Sequence, residues 1–259
     1  MAATPGLAER FAARSPGAKI LIPYLMAGAE DFWLDAIEAV IDAGADAVEV
    51  GLPFSDPIID GPVIEEAGNR SLARGTTAAE ALAALGTRQW GAPLVVMTYY
   101  NVIAHLGHER FAGLAAEAGV SGTIIPDLSL EEVEPWAEVA DRSGISTVML
   151  VAPSTSPERT SRICARSRGF VYAVARMGVT GERSEIGDEA AAVVAKVAAA
   201  TTLPACVGIG VSTPAQARQV SRVADGVVVG SAVVRRLAES DGPEVAASFV
   251  ASLREAIDS

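Results

Sequence analysis

The chain has 259 residues, half of them apolar, which suffices for a buried core in one large domain or two small ones. Twenty basic against 32 acidic residues leave a net charge of −12, and no basic stripe with interleaved aromatics is present, so no nucleic-acid partner is expected. The N-terminus lacks a basic start followed by an apolar run, and no apolar stretch reaches the ~18 residues of a membrane span, so the expectation is a cytoplasmic chain without membrane contact.

Along the chain, short apolar runs alternate with Ala-rich helical patterns. A short helix over Leu7–Ala13 precedes the first strand, Ile20–Leu25, and a helix over Phe32–Ala43 follows it. Next come a strand at Ala47–Gly51, a helix at Ala78–Thr87, a strand at Leu94–Thr98 and a helix at Glu109–Ala118. The fourth and fifth strands fall at Thr123–Pro126 and Thr147–Val151, separated by a helix at Leu130–Ser143. Pro157–Arg166 leads as a helix to a strand at Phe170–Val174, and Glu189–Ala199 leads to one at Ala205–Gly208. The last units are a helix at Pro214–Val223, a strand at Gly226–Val229 and a helix at Glu244–Ile257.

Runs this apolar predict strands buried on both faces, hence parallel ones. Gly44, Gly119 and Gly144 mark helix exits just before strands. Eight β-then-α units predict an α/β fold, a closed (β/α)8 TIM barrel with an extra N-terminal helix covering its base. The competing doubly wound open sheet would call for a dinucleotide-binding Gly-rich loop, which is absent. No linker-like shift in composition occurs, so residues 1–259 are expected to form one barrel domain.

In such a barrel the active site lies at the C-terminal ends of the strands. Glu49 stands between Val48 and Val50, and period-two alternation sets it on the opposite face from both valines. A carboxyl among apolar neighbours loses hydration, which raises its pKa toward the range useful for proton transfer. The segment Gly51–Pro62 carries two Gly, three Pro and two Asp and reads as a shaped loop. Glu49 with an acid from that loop makes a two-carboxylate site.

Gly-rich stretches follow the sixth, seventh and eighth strands: Gly178–Gly181, Gly208–Gly210 and Gly230-Ser231. Glycines there let backbone N–H groups approach an anion, and Ser231 opens a helix whose N-terminus points at it, which predicts a phosphate site. Of the two lysines, Lys19 stands at the start of the first strand and Lys196 within a helix; neither is at a barrel-top position, which argues against Schiff-base chemistry. His105 and His108 read as residues of a solvated loop, and Cys164 and Cys206 as buried thiols of a reducing compartment. No metal site is expected, nor any other cofactor, which leaves acid–base catalysis by carboxylates on a phosphorylated substrate.

The segment from Asp42 through Glu49-Val-Gly-Leu-Pro-Phe-Ser-Asp-Pro-Ile-Ile-Asp60 to Ile64 resembles the signature of the tryptophan synthase α subunit family. The similarity runs on through Pro23-Tyr24, Met97–Asn101, Pro126-Asp127, Met177–Gly181, Gly208–Gly210 and Val229–Ser231. The resemblance implies a barrel that cleaves indole-3-glycerol phosphate to indole and glyceraldehyde 3-phosphate, working with a tryptophan synthase β subunit in an α2β2 complex. It implies that Glu49 is the general acid and base, that Asp60 binds the indole N–H, and that Tyr172 stands near Glu49. It further implies indole-pocket positions at Tyr24, Tyr99, Ile124 and Val151. Phosphate and substrate contacts are implied at Thr180, Gly181, Gly208, Gly210, Gly230 and Ser231. Departures from the family pattern are Met26–Glu30 after the first strand, Ile59, Glu65, Ala175–Met177 and Ile209. They bear on partner coupling and substrate fit and remove no catalytic position. A stand-alone indole-releasing lyase and a weakly active regulatory partner of a β subunit are the alternatives.

Overall fold

The computed structural model describes residues 6–15, 17–174, 186–208 and 210–259. Its eight strands are β1 (Ile20–Met26), β2 (Val48–Gly51), β3 (Leu94–Met97), β4 (Val120–Ile124), β5 (Ser146–Val151), β6 (Val171–Val174), β7 (Ala205–Gly208) and β8 (Gly226–Val229). They pair in parallel and in chain order, and β1 closes on β8 with Ile20 beside Gly226 and Pro23 beside Val229. Alternation along each strand divides two apolar layers. Leu21, Leu25, Val48, Val50, Val96 and Val207 pack outward against the helices, while Ile22, Tyr24, Val95, Met97, Phe170 and Val228 fill the interior.

The helices in chain order are α1 (Leu7–Ala12), α2 (Trp33–Asp42), α3 (Pro62–Ala73), α4 (Ala78–Leu85), α5 (Tyr100–Leu106), α6 (His108–Glu117), α7 (Glu134–Arg142), α8 (Pro157–Arg166), α9 (Ile186–Ala198), α10 (Pro214–Ser221), α11 (Ser231–Ala238) and α12 (Glu244–Asp258). As expected, α1 covers the base: Leu7 and Phe11 join the interior cluster, and the Phe11 ring packs on Phe170 with centroids 6.1 Å apart. Leu7 fits because its neighbours lack side chains; a Cβ on Gly122 would come within 3.2 Å of Leu7 Cδ2, and one on Gly169 would overlap it. At the same end Asp46 accepts hydrogen bonds from the Leu21 amide (2.9 Å) and from Arg254 (3.0 Å), which ties α12 to β1. Among the described residues no helix is long and apolar enough to cross a membrane.

Three departures from the sequence reading have physical causes. First, β4 runs Val120–Ile124 rather than Thr123–Pro126. Gly119 ends α6 with φ +74°, the strand begins directly after it, and Ile125 and Pro126 belong to the turn above. Second, α3 and α5 are additional helices. Gly68 and Asn69 weaken the helical pattern of α3, which tertiary contacts secure: Ser71 Oγ donates to the Ala27 carbonyl (2.6 Å) and Arg70 pairs with Glu30 (2.9 Å). The Tyr100 amide at the start of α5 donates to Asp127 (2.9 Å). Third, His108 is half-buried rather than solvated; Nε2 lies 2.9 Å from Tyr100 Oη and the ring meets Trp136 edge-on. The two cysteines are free and buried, as expected.

Candidate active site

Because Val48 and Val50 pack outward, Glu49 points into the barrel, where it is 4% exposed. Its register neighbours are Tyr24 on β1 and Val95 on β3. Among the described residues Glu49 Oε2 has no hydrogen-bond partner, and neither has the buried Tyr24 hydroxyl. Burial, and then the nearby charge of Asp60, push the Glu49 carboxyl up to about 8.

Asp60 is half-buried at the end of the loop after β2, just before Gly61 and Pro62 begin α3. Burial raises its pKa, while a hydrogen bond with Tyr99 opposes the rise. Tyr99 also braces the loop: its hydroxyl accepts from the Ile59 amide at 3.3 Å, and its ring stacks on Phe54 with centroids 5.1 Å apart. Burial pushes the Tyr99 phenol up to about 12, so it stays protonated. The tip of this loop leaves Ile58 and Ile59 75% and 53% exposed.

Tyr172, from β6, also packs in the interior. Burial first, and then the charge of Glu49, hold its phenol pKa far above the ordinary value, so two carboxyls and three protonated phenols share this space. Both Tyr24 and Tyr172 lean over a glycine of the next strand; a Cβ on Gly51 would overlap the Tyr24 hydroxyl, and one on Gly208 the Tyr172 hydroxyl.

Ile124 packs in the interior cluster that also holds Tyr99, whereas Val151 does not. It packs outward into the layer beneath the helices, and Leu150 is the β5 residue that packs against the interior cluster. The alternation of Val148 inward and Met149 outward was the signal that would have selected Leu150. Phe54 was also missed; its place in the loop motif beside a cluster of aromatics was the available cue.

Gly208 ends β7, Gly210 follows with φ +92°, Gly230 caps α11, and Ser231 is the first residue of that helix. A left-handed φ at Gly210 favours glycine. The first amides of α11 have no partner within the helix and open toward the same rim as Glu49, which suits an anion. Thr180 and Gly181 lie outside the described residues. Among those described, no group of three or more His, Cys, Asp and Glu side chains could hold a metal ion.

Residues 11–257 match the family model described as "Tryptophan synthase alpha chain". The tryptophan synthase alpha chain of Streptomyces coelicolor is 46% identical over 242 residues, covering 92% of this chain and 89% of that one. The Synechococcus tryptophan synthase alpha chain is 45% identical, covering 93% of each. A chain of Mycobacterium tuberculosis tryptophan synthase superposes with a TM-score of 0.88 at 38% identity, over 99% of both chains. The tryptophan synthase alpha subunit of Legionella pneumophila gives 0.82 at 32% identity, over 93% of both. With a closed eight-stranded barrel and this agreement along nearly its whole length, the chain belongs to the tryptophan synthase alpha chain family.

Proposed function

We propose that Glu49 is the general acid and base with which this lyase of tryptophan biosynthesis splits indole-3-glycerol phosphate into indole and glyceraldehyde 3-phosphate. The observation that carries the assignment is the unequal pair of carboxyls: Glu49 buried and raised to about 8, Asp60 half-buried and raised less decisively. A buried carboxyl that holds its proton up to about pH 8 can give it to the substrate and take one back, which leaves the half-buried Asp60 to face the indole nitrogen.

Cleavage breaks the bond between indole C3 and the first carbon of the glycerol chain. The ring carbon must gain a proton, and the hydroxyl on the departing carbon must lose one as it becomes an aldehyde. Neutral Glu49 protonates C3, and the resulting carboxylate takes the hydroxyl proton, which restores the acid. Ionised Asp60 accepts the indole N–H and stabilises the positive charge that builds on the ring. Tyr99, Ile124 and Leu150 bound the space for the ring. The amides near Gly210, Gly230 and Ser231, with Thr180 and Gly181, hold the phosphate. We further assign the enzyme to the cytoplasm, as the α partner of a β subunit in an α2β2 assembly.

The test is the rate of indole release from indole-3-glycerol phosphate by the purified chain, alone and with a tryptophan synthase β subunit. Slow release that the β subunit accelerates supports the reading. Fast release indifferent to the partner identifies a free-standing lyase, and no release under either condition overturns the substrate assignment.

A further inference from the structure

Two buried polar atoms in the barrel interior have no protein partner among the described residues: Glu49 Oε2 and the Tyr24 hydroxyl. They belong to register neighbours on β1 and β2. The phenol can stand where it does only because Gly51 has no Cβ; a methyl group there would overlap Oη. Against a residue that merely walls an apolar pocket, a buried hydroxyl without a protein partner is a cost. Phenylalanine would wall the pocket without that cost. The hydroxyl therefore calls for a role that appears during the reaction.

We propose that Tyr24 is a positioning residue for the proton on Glu49: its hydroxyl, held over Gly51, is the donor that steadies the Glu49 carboxylate once the acid has given its proton to the substrate. The inference rests on the acid–base role assigned to Glu49 above. Several described groups bear on the pair. Asp60, from the loop after β2, is the charge nearest in effect to both; Tyr99 and Tyr172 also act on Tyr24, and Tyr172 faces Glu49 from β6. Burial and these carboxylates hold the Tyr24 phenol well above its ordinary pKa, so it remains a neutral donor throughout and never competes as an acid. A neutral donor beside a carboxyl favours the ionised form, which is the form produced in the first proton transfer.

The experiment compares wild type with Tyr24→Phe, which keeps the ring and removes the donor. The pH dependence of kcat and KM is measured in the α–β complex, and the Glu49 carboxyl of the full chain is titrated by carbon-13 NMR. The expected result is a kcat lowered about tenfold, with KM nearly unchanged. The alkaline limb and the Glu49 titration should both move up by about one pH unit. Tyr24→Leu, which also removes the ring, should raise KM in addition. Unchanged limb and titration in Tyr24→Phe would overturn the proposal, as would a shift to lower pH. The titration needs no turnover, so it tests Tyr24 separately from the identity of the substrate.

Discussion

A methyl group on Gly208 would overlap the hydroxyl of Tyr172, although the two residues sit on adjacent strands and are not register partners. Tyr172 pairs with Cys206, and its ring reaches up the barrel to cover the next inward position on β7. Gly208 does not have a left-handed φ, so the backbone itself would accept alanine. Gly208→Ala should therefore fold but displace the phenol from Glu49, lowering kcat by roughly tenfold or more. Adding Tyr172→Ala removes the hydroxyl together with the ring carbons Cζ and Cε1, which the methyl group would also overlap. The double variant should lose less than the two single losses combined, with a coupling of about 1 kcal/mol or more in a double-mutant cycle. Simple additivity would separate the two residues.

Glu49→Gln should keep the barrel and lose turnover by about 10²–10⁴-fold, the ordinary contribution of a positioned proton donor. Single-turnover indole release is the measurement. Near-normal turnover would remove Glu49 from the chemistry.

The same variant makes a prediction about stability. The folded protein holds the Glu49 proton up to about pH 8, whereas the unfolded chain releases it near 4.5. Between those values the folded state binds the extra proton, so this group lowers stability as pH rises, by about 1.4 kcal/mol per unit at most. Glutamine has no such dependence. Thermal melts should show Glu49→Gln gaining on wild type from about pH 4.5 to about pH 8 and keeping a constant advantage above that.

For the wild-type enzyme, kcat/KM should fall above about pH 8 as the acid is lost. Asp60 contributes to that high value by like-charge repulsion, so Asp60→Asn should move the Glu49 titration to lower pH. Turnover in this variant should also drop roughly 10²-fold, because the indole nitrogen loses its counter-charge. An unchanged Glu49 titration would mean that burial alone sets it.

Leu7→Ala tests the base of the barrel. Leu7 is 1% exposed and fills the space left by Gly122 and Gly169, so its truncation should cost about 3 kcal/mol and lower Tm. The site lies at the other end, and kcat at 25 °C should stay near wild type.

The barrel was legible in the sequence because its strands are buried on both faces and its helix exits carry glycine; those signals are local. The direction of Glu49 was legible for the same reason, fixed by two valines. The resemblance implies Val151 for the pocket, whereas the residue of β5 that packs inside is Leu150: a slip of one position reverses the face of a strand residue. Helices α3 and α5 were not legible because contacts distant in sequence hold them, Ser71 on Ala27 and Asp127 on Tyr100. The pairing of Tyr24 with Gly51 was equally hidden: each residue is ordinary alone, and the relation exists only once β1 lies beside β2.

The plug formed by Leu7 and Phe11, with Phe170 packed above it, makes the barrel a cul-de-sac. Among the described residues the base is filled, so substrate reaches Glu49 from the opposite end, that of the loop which leaves Ile58 and Ile59 exposed. The floor that closes the base thus gives the barrel a direction: one end is committed to stability and leaves the other to chemistry.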